Sequence, residues 1–447
     1  MSTRAVATLG ALLGLVSACD PQKGQWGLEA VTTLPTPADP DAGCGVVLPT
    51  AAATAAQQAS RAACGFGPGD TAAATLGITP ALAGQIPIRH VIVMMKENRS
   101  FDHLLGKLHD RGQPDSEALP ASFTNPDLAG VAVPYRPADT TCLAHDPAHQ
   151  YSGMTAGVNG GRMDGFVKNA ASSTGTDGHW VMSVNDQPQL PFYYFLASTF
   201  ALADRHFAPA RSGTFCNRNF LYFGTSAGAV DTGIVYPEPN TPSLMTLLLN
   251  AGYTWGTYSD DAPLSATLGW THQDPGTHTL QDLYDALDHG TLPNVAFVDA
   301  LEDVEDDHPT ADLQKGEAAL RTLYQHAVAS PQWGRLALIW TYDEGGGFPD
   351  HVPPPDGCPV PGSPFIGRGP RVPLVMISPW ARRHHVSHLV QDHTAITRFI
   401  GTLFGLPALT RRDANSEALF DLLDFSCGRS LSVPDAPAAG TGGCVPP

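Results

Sequence analysis

The chain has 447 residues, 43% of them hydrophobic, enough for one large α/β domain or two average ones with a substantial buried core. Its 43 acidic against 25 basic residues give a formal net charge of -18. A surface so negative does not attract nucleic acid or anionic lipid at long range, so nucleic acid is not an expected partner and any phosphate must be gripped locally.

The amino terminus reads Met1-Ser-Thr-Arg4, an apolar run from Ala5 to Leu15, then Val16-Ser17-Ala18-Cys19. This is a short export signal, residues 1–18, too brief to span a membrane as a mature helix. Small residues before a cysteine predict lipidation at Cys19, hence a periplasmic or cell-surface protein attached to the membrane through that lipid anchor. Export changes the reading of Cys44, Cys64, Cys142, Cys216, Cys358, Cys427 and Cys444. Without any CxxC spacing they favour disulfides over a zinc cluster, and an odd number leaves one thiol free. Cys44 with Cys64 is a candidate local bridge, and Cys427 or Cys444 a candidate staple to Cys358. Residues 19–85, rich in Ala, Pro, Thr and Gly, read as a flexible tether with one short helix between Thr50 and Ala63. Residues 428–447 read as a Pro/Gly/Ala-rich tail.

Between them, residues 86–427 form the expected catalytic domain. Strand-like runs at Val91–Met95, Thr254–Tyr258, Val295–Val298, Leu336–Thr341 and Pro373–Ile377 alternate with helical stretches. That alternation predicts an α/β fold with a mostly parallel central sheet flanked by helices on both faces. Several runs end at acids and histidines: Ser259-Asp-Asp261, then Asp299 with Glu302 to His308, then Asp343-Glu344. Such a sheet carries its active site at the carboxyl edge of its strands.

Two stretches are the most informative. His90-Val-Ile-Val-Met-Met-Lys-Glu-Asn-Arg-Ser-Phe-Asp-His103 and Leu336-Ala-Leu-Ile-Trp-Thr-Tyr-Asp-Glu-Gly-Gly-Gly-Phe-Pro-Asp-His351 are both apolar runs that stop at adjacent oxygen donors. Glu97, Asn98, Asp343 and Glu344 make a hard-donor set suited to one divalent metal ion, Ca, Mg, Mn or, less readily, Zn. One such pair alone reads equally well as helix-capping acids. Two pairs at the ends of two buried strands favour a site.

Glu97-Asn-Arg-Ser-Phe-Asp-His103 resembles the signature of the bacterial phosphoesterase family that includes phospholipases C of the non-haemolytic type and respiratory-burst-inhibiting acid phosphatases. Matching pieces follow in order: Asp146-Pro-Ala-His149, Asn159 to Phe166, Ser212-Gly-Thr-Phe-Cys-Asn-Arg218, Glu305-Asp-Asp-His-Pro309, Thr341 to Phe348, Asp350-His-Val-Pro-Pro-Pro355, Arg371 to Pro379 and Asp392 to Ile400. The resemblance spans Ile88 to Phe425. It implies an alkaline phosphatase-like three-layer sandwich and a single-metal phosphoesterase with Glu97, Asn98, Asp343 and Glu344 on the metal. It further implies Thr214 as nucleophile, passing through a phosphothreonine intermediate, and His149, His308 and His351 around the phosphoryl group with Asn98. Many relatives carry His or Asn where this chain has Gly345. Thr at the nucleophile position is familiar from the phospholipase branch, Ser from the acid phosphatase branch.

The roles have physical reasons. A threonine hydroxyl attacks only when activated, metal coordination can activate it, and histidines titrate where proton transfer to a leaving group needs them. Arg99, Asp102 and His103 are expected to brace the signature loop rather than touch substrate. Cys216, two residues from Thr214, is expected in a disulfide or in packing. The resemblance implies as substrate a phosphomonoester or a phospholipid cleaved on its glycerol side. The alternative is a catalytically silent surface binding protein that keeps the fold. A sulfatase relative would need a Cys/Ser-x-Pro-x-Arg motif, which Thr214-Phe-Cys-Asn-Arg218 lacks.

Overall fold

The computed structural model describes residues 44–231, 233, 235, 241–261, 277–427 and 432–445. The export signal and Cys19 lie outside the described residues, as does the start of the expected tether. The centre is an eight-stranded sheet. In chain order its strands are β1 (His90–Lys96), β2 (Ala201–Ala203), β3 (Trp255–Tyr258), β4 (Thr277–His278), β5 (Val295–Val298), β6 (Leu336–Tyr342), β7 (Leu374–Ile377) and β8 (His385–Ser387). They lie side by side as β8-β2-β7-β6-β1-β5-β3-β4. All neighbours are parallel except β7, which runs antiparallel to both β6 and β2. The mostly parallel α/β fold expected from the sequence is present.

β1 and β6 form the middle of the sheet, and nearly every residue of both is buried because helices cover both faces. The principal helices are α1 (Ala55–Ala62), α2 (Phe101–Leu105), α3 (Tyr151–Val158), α4 (Pro191–Thr199), α5 (Thr214–Phe223), α6 (Leu244–Asn250), α7 (Leu280–His289), α8 (Leu313–Ala329) and α9 (Thr394–Leu403). Cross-strand parity separates the two layers. Trp340, beside Met94, stacks on Tyr193 of α4 at 4.4 Å between ring centroids. Phe297, beside Val93, meets Tyr222 of α5 edge-on at 5.4 Å. Met94 and Val93 point to opposite faces, so α4 and α5 lie on opposite sides of the sheet.

Residues 44–85 depart from the expected free tether. The short helix is there as α1, yet Arg61 from it donates to the Thr75 carbonyl and pairs with Glu417 at 2.9 Å. Ala72, Leu76, Ile78 and Ala83 pack with Ala418. Disulfides Cys44–Cys427 and Cys64–Cys358 fasten the segment at its start and at its middle. The candidate bridge between Cys44 and Cys64 is therefore not formed, and neither tail cysteine reaches Cys358. The tail is fastened too, by Cys142–Cys444 and by Gly440 N–H donating to Glu317 Oε2 at 2.6 Å. Covalent ties and buried polar contacts do here what small, weakly apolar side chains cannot. The expected free thiol is Cys216, which is buried.

Candidate active site

β1, β6 and β5 are parallel, with Lys96 opposite Tyr342 and Met94 opposite Val298. Their carboxyl ends therefore deliver Glu97-Asn98, Asp343-Glu344 and Asp299 to one edge of the sheet. All five are at most 5% exposed. Residue 98 turns with φ 64°, which Asn tolerates better than most side chains. Gly346 at φ 62° turns the other loop so closely over it that any Cβ would run into the Asn98 backbone.

Thr214 opens α5, with Gly213 in extended conformation before it. Its Oγ1 donates to Glu97 Oε2 at 2.9 Å. One helical turn on, Arg218 reaches the other oxygen of the same carboxylate at 2.6 Å and Asp299 Oδ1 also at 2.6 Å. Arg218 was absent from the sequence reading of the site, although its spacing from Thr214 puts both on one helix face. Asp343 Oδ1 accepts from the backbone N–H of Asn98 and Glu344 at 3.1 and 2.7 Å. His393 Nε2 lies 2.7 Å from the Asp343 carbonyl.

In its chemistry, three carboxylates and an amide oxygen, the donor set suits a divalent cation. The Asn98 side-chain oxygen faces Glu97 Oε2, Glu344 Oε1 and Asp343 Oδ1 at 3.0, 2.9 and 3.2 Å. Its amide nitrogen faces His308 Nε2 at 2.8 Å and His149 Nε2 at 3.4 Å. In a cation-free site a half-turn of the amide would be better, since the nitrogen would then donate to the carboxylates. Around a cation the oxygen belongs where it stands, because neighbouring ligands on octahedral bonds of about 2.1 Å are themselves about 3 Å apart. Asp343 Oδ2, buried, makes no hydrogen bond. Burial first, and then the Asp343 charge, push Glu97 up to about 8. Burial likewise raises Glu344 well above the carboxylate range, against the opposing pull of His149. Three carboxylates so confined need more positive charge than Arg218 supplies.

His149 and His308 stand at the mouth, partly exposed, with ring centroids 5.7 Å apart. Burial alone would lower His149, but Glu344 and then Asp146 outweigh it and raise it to about 10. Asp146, His149 and His308 each bring a potential ligand atom within 4.8 Å of the others. Thr214, Glu97, Asn98, Asp343, Glu344, His149 and His308 are thus gathered as the sequence suggested.

His351 is not gathered with them. After the left-handed Gly346 and Gly347 the chain turns away, and His351 Nδ1 lies 2.8 Å from Asp102 Oδ2 in a separate cluster. There Arg371 pairs with Asp102 and Asp350, each at 2.9 Å. That network, with Arg99 Nη1 3.1 Å from His103 Nε2, braces the signature loop as expected.

The chain matches the model of the Phosphoesterase family over residues 88–407. It is 31% identical to the non-specific phospholipase C1 of Arabidopsis thaliana over 378 residues, 74% of this chain and 70% of the relative. To phospholipase C B of Mycobacterium tuberculosis it is 30% identical over 453 residues, 81% of this chain and 86% of the relative. Among solved structures, it overlaps a protein in the alkaline phosphatase superfamily from Vibrio parahaemolyticus at 10% identity with a TM-score of 0.37, covering 70% of this chain and 78% of that one.

Proposed function

The chain belongs to the phosphoesterase family and hydrolyses phosphoric ester bonds, and on that premise we propose that Thr214 attacks phosphorus and forms a covalent phosphothreonine ester that water then hydrolyses. The observation that carries this reading is the 2.9 Å hydrogen bond from the Thr214 hydroxyl to Glu97 at the head of α5. It orients the Oγ1 lone pairs away from the carboxylate. The first-turn N–H groups of α5 have no acceptor within the helix and favour the negative phosphoryl group beside them.

Glu97, Asn98, Asp343 and Glu344 would hold one divalent cation, which when bound withdraws charge from a phosphoryl oxygen and lowers the pKa of the attacking hydroxyl. Arg218 keeps Glu97 in register with Thr214. His149 and His308 hydrogen-bond the remaining phosphoryl oxygens, and one of them gives its proton to the leaving alkoxide. The same imidazole, now neutral, takes a proton from the water that opens the ester.

The favoured substrate is a phospholipid cut between glycerol and phosphate, with a simple monoester as the second reading. Relatives that are themselves phospholipases C support the diester, as does threonine as the nucleophile. Three disulfides among the described residues support export, because such bonds persist in oxidising compartments. A lipid on Cys19 would then hold the enzyme at a membrane face, next to its substrate.

The test compares p-nitrophenyl phosphorylcholine with p-nitrophenyl phosphate, with and without chelator, in the native enzyme and in Thr214→Ala. The choline ester should be preferred, and both chelation and the substitution should abolish turnover. Turnover that survives both contradicts the mechanism, and preference for the monoester moves the enzyme to the acid phosphatase reading.

A further inference from the structure

Asp307, one residue before His308, is a fully buried carboxylate. Its Oδ2 lies 3.0 Å from Lys96 Nζ and accepts from the Tyr193 hydroxyl at 2.7 Å and from the Tyr342 hydroxyl. Lys96 donates to Tyr193 at 2.6 Å, and Arg99 Nε donates to the Asp307 carbonyl at 2.7 Å. Lys96 ends β1 just before Glu97, and Tyr342 ends β6 just before Asp343. Since successive residues face opposite ways, the two strand ends present the carboxylate site on one side and this clamp on the other.

Removing such a charged pair from water is costly, and nothing in the proposed chemistry uses it directly. What it secures is a loop that ordinary backbone preference would not form. Asp303 and Asp307 have φ of 57° and 74°. Asp306 accepts from the N–H groups of Asp303 and His308 through its carboxylate, and from the Glu97 N–H through its carbonyl at 2.8 Å. Strained backbone of this kind persists only where its surroundings over-determine it. α8 presses from the far side, where a Cβ on Gly316 would collide with Asp307 and Lys96.

We propose that Asp307, clamped by Lys96, Tyr193 and Tyr342, is a positioning residue that fixes the 303–308 loop so that His308 Nε2 points past Asn98 to the leaving group. This rests on His308 being the proton donor. The clamp couples the rear of β1 and β6 to proton transfer at their front.

The test is a double-mutant cycle in the metal-loaded enzyme. Tyr342→Phe removes one hydroxyl at constant shape, and Gly316→Ala displaces Asp307 from the other side should the first variant fold poorly. Each is measured alone and with His308→Ala, on aryl and alkyl phosphorylcholine esters. Because a general acid contributes about 10²–10⁴-fold, Tyr342→Phe should cost about tenfold in kcat/KM on the alkyl ester, a ratio that ends at departure of the leaving group and so excludes the water step common to both esters. It should cost under about twofold in kcat/KM on the p-nitrophenyl ester, whose leaving group needs little protonation. In the His308→Ala background neither clamp substitution should lower kcat/KM further. Equal losses on both esters, or losses that persist undiminished without His308, overturn the proposal. A fully active His308→Ala enzyme instead overturns the role of His308 itself.

Discussion

Thr214 and Arg218 stand four residues apart on one helix and bind the two oxygens of the same buried carboxylate, Glu97. The helix thereby sets the Thr214 hydroxyl and the Arg218 charge in a single rigid piece. Arg218 also spans to Asp299, tying the end of β5 to the end of β1.

Arg218→Met should therefore remove the guanidinium that buried Glu97 and Asp299 share. Breaking a buried pair by removing one partner costs about 3–5 kcal/mol. Urea unfolding at neutral pH should show a loss of that order, with activity falling alongside. A change below about 0.5 kcal/mol would mean that Arg218 is a bystander.

Thr214→Ser keeps the hydroxyl and its bond to Glu97, whereas Thr214→Ala removes both. Turnover of p-nitrophenyl phosphorylcholine should fall by less than about tenfold for Ser and by at least about a thousandfold for Ala. Unfolding midpoints should barely move, because one hydrogen bond is worth only about 0.5–1.5 kcal/mol. Equal activity of the two variants would remove the hydroxyl from the chemistry.

Metal removal should abolish turnover and lower the melting temperature together. A cation at about 100 times its Kd adds about 2.7 kcal/mol to the native state, and the carboxylates it separates would otherwise repel. Melting curves with chelator, then with Ca, Mg, Mn and Zn restored in turn, identify the ion that recovers both properties. Activity recovered without any rise in melting temperature would point to a cation bound elsewhere.

Asp392 supplies a pH prediction away from the site. Burial alone would raise its pKa, but Arg412 and then Arg368 outweigh it and hold the carboxyl well below the usual range. The two guanidinium Nε atoms lie 3.0 and 2.7 Å from Asp392 Oδ2. A depressed folded-state pKa means stability that is fully present above the unfolded value of about 3.9 and drains away as pH falls below it. Native unfolding free energy should thus drop on acidification through that window. Asp392→Asn should be about 3–5 kcal/mol less stable at pH 7 and show a shallower acid dependence. Parallel pH curves for the two proteins would contradict this.

Sequence alone disclosed the strand ends because β1 and β6 are uninterrupted apolar runs that stop at acids, a pattern local enough to read residue by residue. Thr214, His149 and His308 became legible through the resemblance of their motifs, since nothing local marks them. Arg218 stayed hidden because its partners Glu97 and Asp299 come from other strands, although its spacing from Thr214 was a usable signal. His351 was misjudged for the opposite reason, since closeness in sequence to Asp343-Glu344 says nothing of two left-handed glycines that carry it off to Asp102. Ala201–Ala203 and His385–Ser387 are too short for period-two patterning to announce them as strands. The fastening of residues 44–85 depends on cysteine pairings 383 and 294 residues apart in sequence, which spacing rules do not encode.

The central claim, a covalent ester on Thr214, is tested most directly by the stereochemical course at phosphorus. A phosphorylcholine ester made chiral with sulfur and oxygen isotopes would be hydrolysed by the metal-loaded enzyme, and the configuration of the product read by phosphorus NMR. Attack by Thr214 followed by attack by water is two in-line displacements and predicts net retention. Net inversion, the mark of water attacking phosphorus directly, would contradict it.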